Sequence, residues 1–89
     1  MIYKIEIPEM LLKKSLRKIP TSDAKKIISE IDSLEQDPRP SGAKKLKGSI
    51  KKPLYRIRVG DYRVVYSIFD NILTILIIEI GHRKDIYSN

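Results

Sequence analysis

The chain breaks once, at Asp37-Pro38-Arg39-Pro40-Ser41-Gly42, and that break decides what it can fold into. Proline lacks an amide donor and pushes its predecessor toward extended backbone, so no helix passes through it. The periodicity differs on its two sides. Before it, Ile2 to Ile7 alternates Tyr3, Ile5 and Ile7 with Lys4 and Glu6, which reads as a half-buried strand ended by Pro8. Glu9 to Lys18 mixes Met10, Leu11, Leu12 and Leu16 with Lys13, Lys14, Arg17 and Lys18 at helical spacing, a short basic amphipathic helix ended by Ile19-Pro20. Thr21-Ser22-Asp23 offers N-cap oxygens to a second helix with the apolar stripe Ala24, Ile27, Ile28, Ile31 and Leu34, expected to run to about Asp37. After the break, Ala43 to Gly48 reads as a short edge strand. Leu54 to Val59, Tyr62 to Phe69 and Ile72 to Ile80 are strands by their β-branched and aromatic content, turning at Gly60-Asp61 and Asp70-Asn71. The order predicts one α+β domain over residues 1–89: an N-terminal strand, two helices, then an antiparallel meander of three to four strands with both helices on one sheet face.

Size and composition narrow the chemistry. Eighty-nine residues make a single thin core, which no disulfide can supplement because there is no cysteine. One histidine, His82, leaves no multi-histidine metal site, so no metal or cofactor is expected. The N-terminus lacks a basic and apolar leader pattern, and the longest apolar run, Ile72 to Ile78, is far below the roughly 20 residues of a membrane span. The sequence therefore reads as soluble, unprocessed and cytoplasmic, with no membrane partner.

Eighteen Lys plus Arg against eleven Asp plus Glu give +7, which favours phosphate polyanions or an acidic protein as partner. No acid lies between Asp37 and Asp61, whereas Arg39, Lys44, Lys45, Lys47, Lys51, Lys52, Arg56 and Arg58 all do. Lys51 and Lys52 alone would be a solvated loop. The arginines ask for more. If Gly60-Asp61 is a two-residue turn, Val59 pairs with Tyr62, Arg58 with Arg63 and Arg56 with Val65. Arg56, Arg58 and Arg63 then share one face, with two like charges directly opposed, an arrangement that suits a bound anion. Guanidinium forks bind phosphate well but are poor bases. Cutting RNA through its own 2′-hydroxyl also needs a proton acceptor and a donor to the leaving oxygen. Gly81-His82-Arg83-Lys84-Asp85-Ile86-Tyr87 supplies candidates: Tyr87, a phenol whose pKa nearby cations would lower, and, less strongly, His82.

A short strand, two helices and then AKKLKG, LYRIRVGDYRVVYSI and IGHRKDIY in that order resemble the RelE superfamily of toxins over essentially the whole chain. The resemblance implies the toxin of a type II toxin–antitoxin system, a metal-independent, ribosome-dependent endoribonuclease that cleaves mRNA in the A site. It implies a RelB-like antitoxin as partner, besides the ribosome and mRNA. Carried over by position, it implies that Arg63 stabilises the transition state, Arg83 binds phosphate or assists the leaving group, and Tyr87 is catalytic. The family's Tyr-basic-Ile-basic stretch falls on Tyr55-Arg56-Ile57-Arg58. Arginine stands here where lysine is common in the best-known members, which gives Arg56 and Arg58, with Lys44, Lys45 and Lys47, to phosphate binding and the proton to Tyr87. Two other readings use the same fold or charge: a ParE-like DNA gyrase inhibitor, and a basic RNA-binding module without chemistry.

Overall fold

The computed structural model describes residues 2–49 and 52–82, and of 47–49 and 52 the backbone only. Five strands form one sheet in the order β1-β5-β4-β3-β2, namely β1 (Lys4–Glu6), β2 (Lys44–Ser49), β3 (Lys52–Val59), β4 (Tyr62–Phe69) and β5 (Thr74–His82). β2 to β5 are the expected antiparallel meander. The N-terminal strand covers the edge this leaves at β5, lying parallel to it with Ile5 opposite Ile75, so the sheet is mixed. The α+β class and order agree with the sequence reading.

The N-terminal helical segment, residues 9–18, is irregularly wound. Across Leu11–Ser15 the Leu16 amide reaches back five residues to the Leu11 carbonyl, whereas Leu16–Lys18 closes tightly, with the Ile19 amide on the Leu16 carbonyl at 3.2 Å. Ile19 is extended, as a residue before proline should be. Helix α1 (Thr21–Ser33) differs from expectation at both ends. No side chain caps it: Pro20 takes the cap position and its carbonyl accepts the Ala24 amide at 2.9 Å, so Thr21, Ser22 and Asp23 already lie inside the helix. It ends at Ser33 rather than near Asp37. Leu34 and Glu35 continue in tight i→i+3 bonds, and the Glu35 carbonyl is taken by the Tyr3 amide at 2.8 Å, which diverts the chain toward β1. No helix among the described residues is long and apolar enough to cross a membrane.

The helical stripe meets the sheet through Ile27, Ile31 and Leu34, all fully buried, against Ile57, Val64, Tyr66, Ile75 and Ile77. Leu11, Leu16 and Ile19 join the same core, so both helical pieces pack on one face. Each buried isoleucine contributes about 1.5–3 kcal/mol by leaving water.

Two irregularities adjust the meander. The β4–β5 turn is a four-residue loop, Asp70 to Leu73, not a two-residue hairpin, and Leu73 takes a left-handed backbone at φ 47°. Its carbonyl accepts the Lys4 amide at 2.7 Å, which docks β1. Farther along, Val65 faces Glu79 while Tyr66 faces Ile77, so Ile78 is an extra residue on β5, a bulge. Beyond it, Ile80 points into the core and Glu79 away from it.

The break itself is tied down. The Tyr66 hydroxyl donates to the Pro38 carbonyl at 2.7 Å, and the Tyr66 ring stacks on Tyr55 with centroids 5.9 Å apart. Arg39 lies over the Tyr55 ring, donates from Nε to the Tyr55 hydroxyl at 3.3 Å and pairs with Asp70 at 2.9 Å; Tyr3 donates to the other Asp70 oxygen at 2.5 Å. Arg39 thus leaves the basic stretch and becomes a structural cation. These bonds hold the Asp70 carboxyl below its ordinary 3.8.

Two outcomes follow. Ile31→Ala should cost about 2–5 kcal/mol in urea unfolding, because the site is fully buried. Because the folded Asp70 pKa is depressed, its contribution is complete above 3.8 and disappears as pH falls through the folded value. The Tm gap between the native protein and Asp70→Asn should therefore be open at neutral pH and close in acid; a gap that stayed constant down to the acid limit would contradict this linkage.

Candidate nucleic-acid interface

The Gly60-Asp61 turn fixes the register of β3 on β4. Gly60 has φ 61°, a backbone that suits glycine, and the two-residue loop places Val59 opposite Tyr62, Arg58 opposite Arg63 and Arg56 opposite Val65. The expected pairing of Arg58 with Arg63 is therefore present. Since Tyr55, Ile57, Val64 and Tyr66 face the helices, Arg56, Arg58 and Arg63 lie on the opposite, outer face.

Their exposure is graded. Arg58 is exposed, Arg56 half-buried, and Arg63 only 4% exposed. Beside Arg63 on β5 stands Gly81, which has no side chain to compete for the space of the guanidinium. The bulge at Ile78 puts Gly81 there. A recessed arginine with a second arginine directly across the hairpin concentrates positive potential on this face.

β2 extends this face on one side only. Lys44 pairs with Arg56 and joins the arginines, whereas Lys45 pairs with Tyr55 and therefore lies on the helix side of the sheet. The sequence reading grouped the two lysines; the strand separates them. For Lys47 only the backbone is described, and Arg83 and Tyr87 fall outside the described residues. On β5, Glu79 faces Val65 in the same row as Arg56 and Lys44, an exposed carboxylate that the basic-stretch argument did not include.

His82 pairs with Tyr62, their rings meeting edge to face at 5.5 Å. Tyr66 has its pKa pushed up to about 12 by burial, so it acts as a permanent hydrogen-bond donor and not as a base. Among the described residues, the outer face thus offers cations that can bind and polarise a phosphate.

A small basic α+β domain with helices on one sheet face and recessed arginines on the other is the architecture of a toxin class. The family model for the ParE toxin of type II toxin–antitoxin systems, parDE, matches residues 10–87, and the chain belongs to this RelE/ParE superfamily of toxins. Within it, the similarity runs to RelE proteins. The chain is 35% identical over 92 residues to the "Putative toxin RelE1" of Methanocaldococcus jannaschii, covering all of this chain and 99% of that protein. It superposes on the RelE of a Pyrococcus horikoshii RelE–RelB complex with a TM-score of 0.81, at 32% identity over 93% of this chain and 97% of that one. The isolated Escherichia coli RelE toxin matches with a TM-score of 0.69, at 25% identity over 97% and 92% of the two chains.

Directly opposed like charges are unfavourable by about 0.2–1 kcal/mol. Arg58→Thr should therefore raise stability by about that amount at low salt, with the gain shrinking as salt rises, while weakening the binding of an RNA oligonucleotide. Parallel urea melts and fluorescence anisotropy titrations measure the two effects.

Proposed function

We propose that this toxin cleaves mRNA, and that it does so on the ribosome. The recessed Arg63 with Arg58 directly across from it, on the sheet face opposite the helices, is the observation that carries the reading. Similarity to RelE proteins along the whole chain supports it.

In this reading the 2′-hydroxyl of the substrate attacks the adjacent phosphorus, the bond to the 5′-oxygen of the next nucleotide breaks, and a 2′,3′-cyclic phosphate and a 5′-hydroxyl result. Arg63 stabilises the charge that builds on the phosphorane oxygens, acting most strongly where water is excluded. Arg56, Arg58 and Lys44 hold neighbouring phosphates. Tyr87 takes the 2′-hydroxyl proton, a role suited to a phenol because nearby positive charge favours the phenolate, and Arg83 assists the departing oxygen. With arginine rather than lysine at both Arg56 and Arg58, positioning must supply much of the rate, and a ribosome that fixes the mRNA can provide it. The matching partner is a RelB-like antitoxin whose acidic or amphipathic segment orders on the toxin and neutralises the basic face.

The family model carries the ParE description, which favours a second reading: a protein inhibitor of DNA gyrase on the same fold. Programmed ribosomes with a defined A-site codon separate the two. On the ribonuclease reading, primer extension finds cuts confined to the A site, and Tyr87→Phe slows single-turnover cleavage by about 10²–10⁴-fold while antitoxin binding is kept. Intact mRNA together with inhibited DNA supercoiling would assign the chain to gyrase instead, and rapid cutting of naked transcripts would rule out ribosome dependence.

A further inference from the structure

Arg39 and Lys44 stand on either side of the sheet, yet both are tied to one short stretch of β3. β2 meets that stretch through Lys44 on Arg56, Lys45 on Tyr55 and Leu46 on Leu54, before its register shifts between Leu46 and Ser49. It is the last strand of the sheet and has a neighbour on one side only. So short a ladder, paired on a single side, holds an edge strand weakly by itself.

The middle residue of the ladder is the one that Arg39 grips. Its guanidinium lies 5.3 Å from the centre of the Tyr55 ring, and its Nε donates to the Tyr55 hydroxyl at 3.3 Å. The chain therefore leaves the side chain of Tyr55 at Arg39 and returns to its backbone at Lys45. Between the two, the Ala43 amide closes a turn on the Pro40 carbonyl at 2.9 Å. With both ends of this loop on one residue, the closure that β2 needs in order to pair is largely made by the Arg39 contact. Asp70 keeps Arg39 in place: it accepts from Nη2 at 2.9 Å, and the Tyr3 hydroxyl donates to its other oxygen. Lys44, by contrast, is exposed and forms no ion pair among the described residues, so its ammonium can meet a phosphate beside Arg56.

We infer that Arg39, held by Asp70, is a positioning residue for RNA binding: from the helix side of the sheet it fixes the entry to β2 and so keeps Lys44 beside Arg56 on the outer side. The inference rests on the reading of Lys44 and Arg56 as phosphate contacts. It gives a carboxylate a part in binding a polyanion. The two ways in which Asp70 can act on RNA therefore have opposite signs. As a charge it repels the backbone; as the anchor of Arg39 it favours binding.

The test is fluorescence anisotropy of the full chain with a single-stranded uridine oligonucleotide, titrated from low to moderate salt at a temperature where urea melts show every variant folded. Asp70→Asn removes a negative charge, so attraction alone would tighten binding. The positioning role instead weakens it by about threefold or more and takes about 0.7 from the slope of log K against log salt, the mark of one lost phosphate contact on a single strand. Tyr55→Phe removes the hydroxyl that Arg39 holds without changing the charge, and should weaken binding in the same way. Lys44→Ala should lose as much slope as Asp70→Asn, and the double variant no more than Lys44→Ala alone, because residues that act through one contact do not add. Asp70→Asn that binds as tightly as the native chain or more tightly, or whose loss adds to that of Lys44→Ala, would overturn the positioning role while leaving Lys44 a phosphate contact. Lys44→Ala that binds as the native chain does would remove that contact and the inference with it, with cleavage judged separately by the Tyr87→Phe assay on ribosomes.

Discussion

The hydroxyl of Tyr66 is the point on which the two halves of this small domain are joined. It stands on the central strand β4 with its ring in the core, yet its oxygen reaches the carbonyl of Pro38 in the break between helix and sheet. A carbonyl preceding Arg39 and Pro40 has no helical or strand partner of its own, and leaving such a group unsatisfied in a partly buried place costs about 1–3 kcal/mol. Tyr66 satisfies it and anchors the break to the sheet. Burial raises the phenol pKa to about 12, so the stabilisation is present below the ordinary value of 10 and is lost only as pH rises through the folded value. Arg39, Tyr55, Asp70 and Tyr3 extend the same attachment to the β4–β5 loop and to β1. A chain with so thin a core relies on such a polar seam to connect elements that its apolar residues alone would hold loosely.

That attachment also sets Arg39 apart from the other arginines of the basic stretch. Arg39 is held by Asp70 and Tyr55, whereas Arg56, Arg58 and Arg63 lie on the sheet face opposite the helices. The sheet thereby has one side covered by helices and one that carries the clustered arginines. The cost is visible in the Arg58 and Arg63 pair, whose repulsion the fold accepts in return for a positive potential where a phosphate can sit.

Much of this was legible in the residues, because the decisive signals are local. Gly60-Asp61 sets the hairpin register by itself, and with it the opposition of Arg58 and Arg63 and the face shared with Arg56. The break at Pro38 and Pro40 divided helix from sheet for an equally local reason. What escaped depends on distance. Arg39 looked like one more cation of the basic stretch because its partner Asp70 is 31 residues away. The shortening of α1 comes from Tyr3 capturing the Glu35 carbonyl, a contact between the first strand and the helix end. Lys45 could not be told from Lys44 until β2 had a register, and that strand is irregular between Leu46 and Ser49. The four-residue loop at Asp70 to Leu73 was missed because a leucine, not a glycine, takes the left-handed position.

The bulge at Ile78 has a consequence for how such a chain can change over evolutionary time. Alternation along β5 is read in two phases, Ile75 and Ile77 before the extra residue, Ile80 and His82 after it. Loss of the extra residue would merge the phases into one regular alternation that keeps Ile77 and Ile80 toward the core, Glu79 away from it and Gly81 opposite Arg63, whereas a residue gained or lost at a paired position would shift everything beyond it to the other face. Substitution at Ile78, half-buried and outside the pairing, is comparatively gentle. The bulge is therefore the one position of this strand that can be exchanged or dropped while its neighbours keep their faces, so descendants of the chain should vary there before they vary at Ile75, Ile77 or Ile80.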